Sequence, residues 1–358
     1  MKGLLMSRKQ WAVLSLLLLL VSLGGMIGSV VLIDPFEIYH QATAFIPPIT
    51  NGTQNYSNAG IAKSYDYDSV VIGSSMTENF TPSQLDSLLG GHFIKLPING
   101  GSPFNHRQMM EMAFRTHDVK RILYGIDVEA LTYFYTTPKC EMPDYLYDDN
   151  LFNDVAYWFN SSVLLKYIPA CLKTLGQSDP RQRDTMYNWG SLYDYGKDAV
   201  LRNLPAVPTP VEQTPAESGL SQQSMLNAKH NYIPFIEAHP DTEFIFFFPP
   251  YSLARWYEFY RDDVLLYHLA QKEAITEALL PYPNIKIFDF QARTDWFLDF
   301  DNYIDPGHYG PWINDAMAEA IAEGGFRVTD CQQIKDNNVV IVDQVNQLIA
   351  SGAWPDSN

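Results

Sequence analysis

Positions 68–77 of the chain read DSVVIGSSMT, and this stretch decides the predicted fold. The run at 69–72 is short and rich in β-branched residues, which is typical of a buried strand in a parallel sheet. Gly73 ends the run, and Ser74 and Ser75 follow it directly. Because ligands bind at the carboxyl ends of parallel strands, Ser75 is predicted to lie at a ligand-binding edge. Taken alone, however, the sequence Gly-Ser-Ser favours the simpler explanation that the two serines are turn residues.

Strand and helix patterns alternate on both sides of this stretch. The predicted strands are residues 68–72, 92–98, 121–127, 243–248 and 285–290. Two helices are predicted to begin at Thr81 and at Ser102. Three more are predicted over residues 222–238, 262–280 and 311–323. This alternation is typical of an α/β domain with a parallel sheet, which we predict over residues 65–327.

A tract at residues 128–220 interrupts the alternation and is interpreted as an insertion. It is rich in Tyr, Trp and Asp, and its aromatic residues either stack on sugar rings or form a small satellite core. Prolines at 205, 208, 210 and 215 predict an extended loop near its end. Residues 34–64 are interpreted as a stalk, and residues 328–358 as a C-terminal tail segment.

The N-terminus predicts a membrane anchor over residues 1–33. Lys2, Arg8 and Lys9 precede an uncharged stretch at 11–33, which is roughly 35 Å long as a helix and long enough to cross a bilayer. The basic flank predicts a cytoplasmic N-terminus, so that a single-pass protein places residues from Asp34 onward outside the cytoplasm. The alternative is a cleaved signal peptide. Its apolar region would be unusually long, and no clear small-x-small cleavage site precedes Asp34.

Charge and cysteine content exclude several classes of function. The net charge of -17 repels phosphate backbones and argues against nucleic-acid binding. No CxxC, HxxxH or HExxH pattern occurs, so neither a metal site nor a cofactor is predicted. The carboxylates at 295, 299 and 301 are either a calcium site or a solvated loop. Outside the cell, Cys140 and Cys171 could pair within the insertion, but spacing alone leaves this open.

The sequence Asp305-Pro306-Gly307-His308 supplies partners for Ser75. It follows the last predicted strand and precedes a helix, so it too lies at the carboxyl edge of the sheet. A serine nucleophile needs a base, and the base needs an acceptor that fixes its tautomer. Each motif alone is more often a turn, but together they predict a catalytic triad of Ser75, His308 and Asp305.

These motifs resemble those of the SGNH, or GDSL-type, serine hydrolase and acyltransferase superfamily. Residues 73–77 are similar to its GDSLT block, with Ser74 in place of the usual aspartate, and residues 305–308 are similar to its DxxH block. The resemblance implies a flavodoxin-like, three-layer α/β/α domain with five parallel strands in the order 2-1-3-4-5. It also implies that the amide of Gly101, after the second strand, donates to the oxyanion. A glycine-rich strand-to-helix turn explains the same residue structurally.

The third block departs from the family pattern. Where the family has Gly-x-Asn, this chain has Gly125-Ile126-Asp127, and an ionised aspartate cannot donate a hydrogen bond. Losing that donor could cost about two orders of magnitude in rate, unless Asn79, Asn99 or Asn105 replaces it. Asp127 either binds a substrate amine or hydroxyl, or caps the segment that follows it.

The N-terminal anchor and the GSS sequence resemble divergent cell-envelope branches such as the D-alanyl-lipoteichoic acid transfer protein family. This implies ester hydrolysis or acyl transfer on an acylated glycan or cell-envelope polymer through an acyl-Ser75 intermediate. The alternative is a catalytically weak or inactive module that binds glycan or a membrane acyltransferase partner.

Overall fold

The computed structural model describes residues 7–214 and 222–355, which fall in two compact units. Unit 1 comprises Met1–Ile49, Ala59–Tyr65 and Pro143–Pro180; unit 2 comprises Thr50–Asn58, Asp66–Met142 and Arg181–Asn358. The predicted insertion is therefore not one body, because its middle belongs to unit 1 and its flanks to unit 2. Lys2, Pro215 and the predicted end of the insertion at 220 lie outside the described residues.

Unit 2 contains one mixed sheet of six strands in the order β2-β1-β3-β4-β5-β6. The strands are β1 Ser69–Ile72, β2 Phe93–Lys95, β3 Arg121–Gly125, β4 Glu243–Phe248, β5 Ile285–Asp289 and β6 Arg327–Val328. The first five are parallel in the predicted order, with Val70 opposite both Ile94 and Ile122. The prediction of a five-stranded, wholly parallel sheet is nevertheless wrong, because β6 joins β5 in the antiparallel direction. A strand of two residues shows no periodicity from which it could be predicted.

Helices of unit 2 form two groups by their contacts. One group pairs Pro82–Leu89 with Pro311–Glu323, and the other joins Leu265–Leu279 to Leu253–Arg261, Gln222–Asn227 and Cys331–Ser351. The remaining helices are Pro103–Thr116, Gln182–Thr185, Lys197–Leu201, Ile233–Ala238, Thr294–Phe297 and the π-helical Ala228–Tyr232. Short 3₁₀ turns cover Asn51–Thr53, Ser75–Thr77, Ala130–Thr132, Gly190–Leu192 and Phe300–Asn302.

The predicted C-terminal tail is a long helix of unit 2. Helix Cys331–Ser351 begins at Asp330, whose side chain accepts from the Gln333 amide, and ends at Gly352 in the left-handed conformation. Ile334, Ile341 and Leu348 lie at seven-residue spacing and are buried, as expected for the core-facing stripe of an amphipathic helix.

Unit 1 contains the N-terminal helix Arg8–Ile33. It is the one helix among residues 7–214 and 222–355 that is long and apolar enough to cross a membrane. The other elements of this unit are Asp144–Leu146, Val155–Trp158, the π-helical Val163–Tyr167 and Ile168–Lys173. Helix Gln54–Ser64 begins in unit 2 and ends in unit 1. The predicted stalk is therefore folded, and its Phe36 and Ile38 are buried.

The structure bears on two points that the sequence left open: whether Cys140 pairs with Cys171, and what surrounds the carboxylates at 295, 299 and 301. Cys140 and Cys171 are free, so the suggested pairing is not found. Asp295 pairs with Arg293, and the Asp299 side chain accepts from the Asp301 amide as a helix cap. The carboxylates at 295 and 299 thus have local structural partners.

Candidate active site

A tight turn after β1 presents Ser75. Gly73 has φ of +154°, and a Cβ placed there would come within 2.6 Å of Thr77 Cγ2 and 3.2 Å of the Gly125 carbonyl oxygen. Ser74 caps the following 3₁₀ turn, in which Ser75 is the first residue. Only glycine fits the close approach of this turn to the end of β3.

The three residues predicted to form a triad lie together. Ser75 Oγ is 2.8 Å from His308 Nε2, and His308 Nδ1 is 2.8 Å from Asp305 Oδ2. Asp305 Oδ1 also accepts from the Gly307 and His308 amides, each at 2.8 Å. These backbone bonds fix the carboxylate within its own loop, so that its second oxygen faces the imidazole.

Electrostatics in this loop favour an ion pair between His308 and Asp305. Burial lowers the pKa of His308, but the hydrogen bond and charge of Asp305 outweigh burial and raise that pKa above its usual 6.5. Burial raises the pKa of Asp305, but the hydrogen bond and charge of His308 and the two backbone hydrogen bonds together outweigh it, and the net pKa falls below 3.8. The carboxylate therefore stays ionised and stabilises the imidazolium that forms when His308 accepts a proton.

Trp189 completes one wall of the site and was not predicted from the sequence. Its indole N–H donates to the Ser75 carbonyl at 3.3 Å, and its ring meets the His308 ring edge-on at 5.5 Å. Asn79 Oδ1 accepts from the amides of Trp189 and Gly190. A residue 114 positions from Ser75 thus contacts both the serine and the histidine.

Lys95, on β2, ties the same segment to the turn that carries Ser75. Its fully buried ammonium donates to the Glu78 carbonyl at 2.8 Å, the Asp184 carbonyl at 3.0 Å and Asn188 Oδ1 at 2.6 Å. Burial lowers the pKa of Lys95 to about 7 and raises the pKa of Glu78 to about 7. Lys95 therefore joins the turn after Ser75 to the segment that leads into Trp189.

The amide of Gly101 is engaged inside its own turn. It donates to the Ile98 carbonyl at 2.8 Å, and a Cβ at this position would lie 2.8 Å from Ile98 Cγ2. The turn-forming explanation of this glycine thus has direct structural support, while the amide is not free for an oxyanion. The neighbouring Gly100 amide and the Ser75 amide make no hydrogen bond to the described residues, and both residues line the same cleft.

Asp127 lies beside the serine turn and acts there as an acceptor. Its Oδ1 accepts from the Tyr251 hydroxyl and from the Glu129 amide, the latter at 3.1 Å, and its Oδ2 accepts from Ser74 Oγ at 3.4 Å. Burial and the charge of Asp127 raise the pKa of Tyr251 well above 10.0, so Tyr251 remains a donor. The bond from the Glu129 amide is a local turn contact, and the residue at the cap of Ala130–Thr132 is Glu129 itself.

The three asparagines suggested as replacement donors differ in availability. Asn105 Oδ1 accepts from the Lys139 and Cys140 amides, and its Nδ2 donates to the Cys140 carbonyl at 2.8 Å. Asn79 holds the Trp189 segment through its carbonyl oxygen. Asn99, in contrast, is exposed and lines two clefts that also contain Ser75 and His308. It is the best placed of the three to face a substrate.

Two clefts meet at Ser75. The first, of about 220 Å³, is also lined by Gly101 and Asp127 and by the charged residues Lys139, Glu129 and Arg255. The second, of about 200 Å³, is lined by Asn51, Asn99, Trp189, Tyr193, Ile304 and Asp305. Tyr133 and Tyr251 also line the first cleft, so both clefts are partly aromatic and the first carries the additional charged side chains.

The chain matches no protein-family model, no curated protein and no solved structure.

Proposed function

We propose that this chain is a membrane-anchored serine esterase or O-acyltransferase of the SGNH type, acting on acyl esters of a cell-envelope glycan or related polymer. The observation that carries the proposal is the hydrogen-bonded series Ser75, His308, Asp305 at the carboxyl edge of the sheet. The sheet order of the parallel strands and the two helix groups agree with the flavodoxin-like, three-layer arrangement implied by the resemblance.

The proposed reaction proceeds through an acyl-serine. Ser75 Oγ attacks the ester carbonyl carbon while His308 Nε2 takes its proton, and the carbonyl oxygen becomes an oxyanion. The amides of Ser75 and Gly100 are free to donate to that oxygen. The imidazolium then protonates the departing alcohol as its C–O bond breaks. Water or a sugar hydroxyl, deprotonated by His308, attacks the acyl-Ser75 ester and restores the serine.

The two clefts suit the two halves of an ester. Trp189 and Tyr193 lie edge to face at 5.9 Å, and Tyr193 is exposed. The exposed ring of Tyr193 can stack on the apolar face of a sugar ring, while the buried Trp189 supports it from behind, so this cleft is assigned to the glycan alcohol. The charged cleft beside Asp127 is assigned to the acyl group.

Labelling by a fluorophosphonate probe tests this function. The wild-type protein is expected to form a covalent adduct that Ser75→Ala abolishes, because the probe phosphorylates an activated serine. The variant Ser74→Ala tests whether the neighbouring hydroxyl, rather than that of Ser75, reacts with the probe. The variant Ser87→Ala, on an exposed helix face, is the matched control for removal of a serine hydroxyl elsewhere. Both variants should keep the adduct. If the wild-type protein does not react with the probe, the second candidate function, a glycan-binding module without activity, is favoured. That candidate is supported by Asp127, which accepts hydrogen bonds where a catalytic member of the family has a donor.

The proposed topology places unit 2 outside the cytoplasm and helix Arg8–Ile33 across the membrane. Protease added to intact spheroplasts should digest the folded units, while the undigested protein remains in the membrane fraction after an alkaline wash. As a control, a cytoplasmic marker protein should be digested in lysed spheroplasts and protected in intact ones. Complete protection of the folded units in intact spheroplasts would contradict the proposed orientation.

A further inference from the structure

Beyond helix Arg8–Ile33, unit 1 exposes seven large apolar side chains between residues 151 and 175, and six of them, all except Phe159, are at least 48% exposed. We call these six the apolar surface: Leu151, Phe152, Val155, Leu165, Leu172 and Leu175. Phe152 is 92% exposed and Leu165 is 80% exposed. They lie in or beside three contacting elements: Val155–Trp158, Val163–Tyr167 and Ile168–Lys173. Apolar groups clustered in this way mark an interaction site more often than scattered surface leucines do.

The helical part of this surface carries apolar residues on both its buried and its exposed side. Val163, Ile168 and Cys171 are buried, so one side packs within unit 1. Leu165, in the π-helical segment, and Leu172, in the α-helix that follows it, are exposed. Exposed leucines next to an already packed face are typical of a surface that contacts protein or lipid.

Contacts with the N-terminal helix place the apolar surface at the membrane boundary. All three of its elements contact helix Arg8–Ile33. Val30 in that helix is fully buried, whereas Leu16 and Leu20 are more than half exposed, so packing occurs near its C-terminal end. The uncharged part of this helix spans roughly 35 Å against a hydrocarbon core of about 30 Å. Val30 therefore lies near the boundary of the core.

Charge in this region is mixed, because Asp148 and Asp149 directly precede the apolar surface, whereas its basic residues lie on the helical part. Within residues 151–175 the single acidic residue is Asp154, which is buried and accepts from the Tyr39 hydroxyl at 2.8 Å. Lys166 and Lys173 are exposed in the last turns of their helices. Basic side chains on an apolar helix reach anionic headgroups while the helix lies in the interface.

We propose that the apolar surface inserts into the interfacial layer of a bilayer that contains anionic lipid, as a second membrane contact beside the spanning helix. The proposal rests on the membrane anchor of the proposed function and does not depend on catalysis. Continuity with the spanning helix and the two exposed lysines on the helical part of the surface favour lipid over a protein partner as the occupant.

Lipid-borne quenchers test this contact in the full-length protein. The background is Cys140→Ser with Cys331→Ser, which leaves only the buried Cys171. Phe152→Cys and Leu165→Cys each receive an NBD label, and the protein is placed in nanodiscs of phosphatidylcholine and phosphatidylglycerol. A doxyl group near the headgroup should cause a greater loss of NBD emission than one near the chain terminus, and aqueous iodide should cause little loss.

Two control labels separate the possible outcomes. Val21→Cys, near the middle of the spanning helix, should be quenched more by the deep doxyl group. Val339→Cys, an exposed apolar position in unit 2, should respond to iodide. Labels at 152 and 165 that respond like the one at 339 would overturn the proposal. Labels shielded from both quenchers would also overturn it, since a second copy then covers the surface. An unquenched label at 21 would refute the anchor and the contact together, whatever the esterase activity.

Discussion

Ser75→Ala and His308→Ala are each expected to reduce kcat by about 10⁶-fold, and the double variant should lose little more than either single variant. The reason is that Ser75 Oγ and His308 Nε2, 2.8 Å apart, act in one proton transfer, which fails when either group is absent. Asp305→Ala should cost less, about 10⁴-fold, because the imidazole still accepts a proton from a less favourable tautomer or orientation.

Hydrolysis of small aryl acetates, followed by acylated envelope polymer, is the measurement. Ser75→Ala should change the free energy of unfolding by less than about 0.5 kcal/mol, so lost activity cannot be attributed to lost folding. Multiplicative losses in the double variant would show that Ser75 and His308 act independently and would contradict the mechanism. Wild-type rates in Ser75→Ala, on a substrate that the enzyme turns over, would refute the assignment of the nucleophile.

Lys272→Met is expected to lower the free energy of unfolding by about 3–5 kcal/mol, because it leaves a buried charge without its partner. Lys272 Nζ lies 2.7 Å from Asp289 Oδ2, and both side chains are completely buried. Asp289, at the end of β5, also accepts from Asn337 Nδ2 at 2.7 Å and from the Gln291 amide at 3.1 Å. Removing the lysine therefore destabilises the junction of this strand with the C-terminal helix.

Urea unfolding followed by tryptophan fluorescence measures the effect. Lys286→Met is the matched control, since Lys286 pairs with Glu243 but its side chain is 40% exposed, and such a pair contributes about 1 kcal/mol at most. The double variant Lys272→Met with Asp289→Leu should recover stability relative to Lys272→Met, because it removes the unpaired charge. A single variant within about 1 kcal/mol of wild type would show that the pair contributes little.

Runs of buried residues made the five parallel strands predictable. β4 has the predicted bounds, because five consecutive buried apolar residues follow the partly exposed Glu243 and give a clear signal. The helix predicted at 262–280 is observed as Leu265–Leu279. The preceding helix Leu253–Arg261 was not predicted, since its aromatic and charged residues carry no clear start signal.

The approach of Ser75, His308 and Asp305 to one another was predictable, because short sequence motifs determine where each residue lies. Ser75 depends on the glycine turn after β1, and Asp305 and His308 share one loop, so local sequence was sufficient. Trp189 and Lys95 could not be found in this way, because their contacts depend on the path of a long segment across the sheet edge. The hydrogen bond that engages the Gly101 amide is likewise a property of the folded turn and leaves no signal in composition or spacing.

The wide separation of the site residues in the chain also determines when the site can first exist. Ser75 and His308 lie 233 positions apart, and ribosomes add about 5–20 residues per second. Roughly 10 to 50 s therefore pass between synthesis of Ser75 and synthesis of His308. Helix Arg8–Ile33 is made before both residues, and a serine hydroxyl without a base is a weak nucleophile. Under the proposed function, a nascent chain would therefore carry its proposed anchor before Ser75 could be acylated.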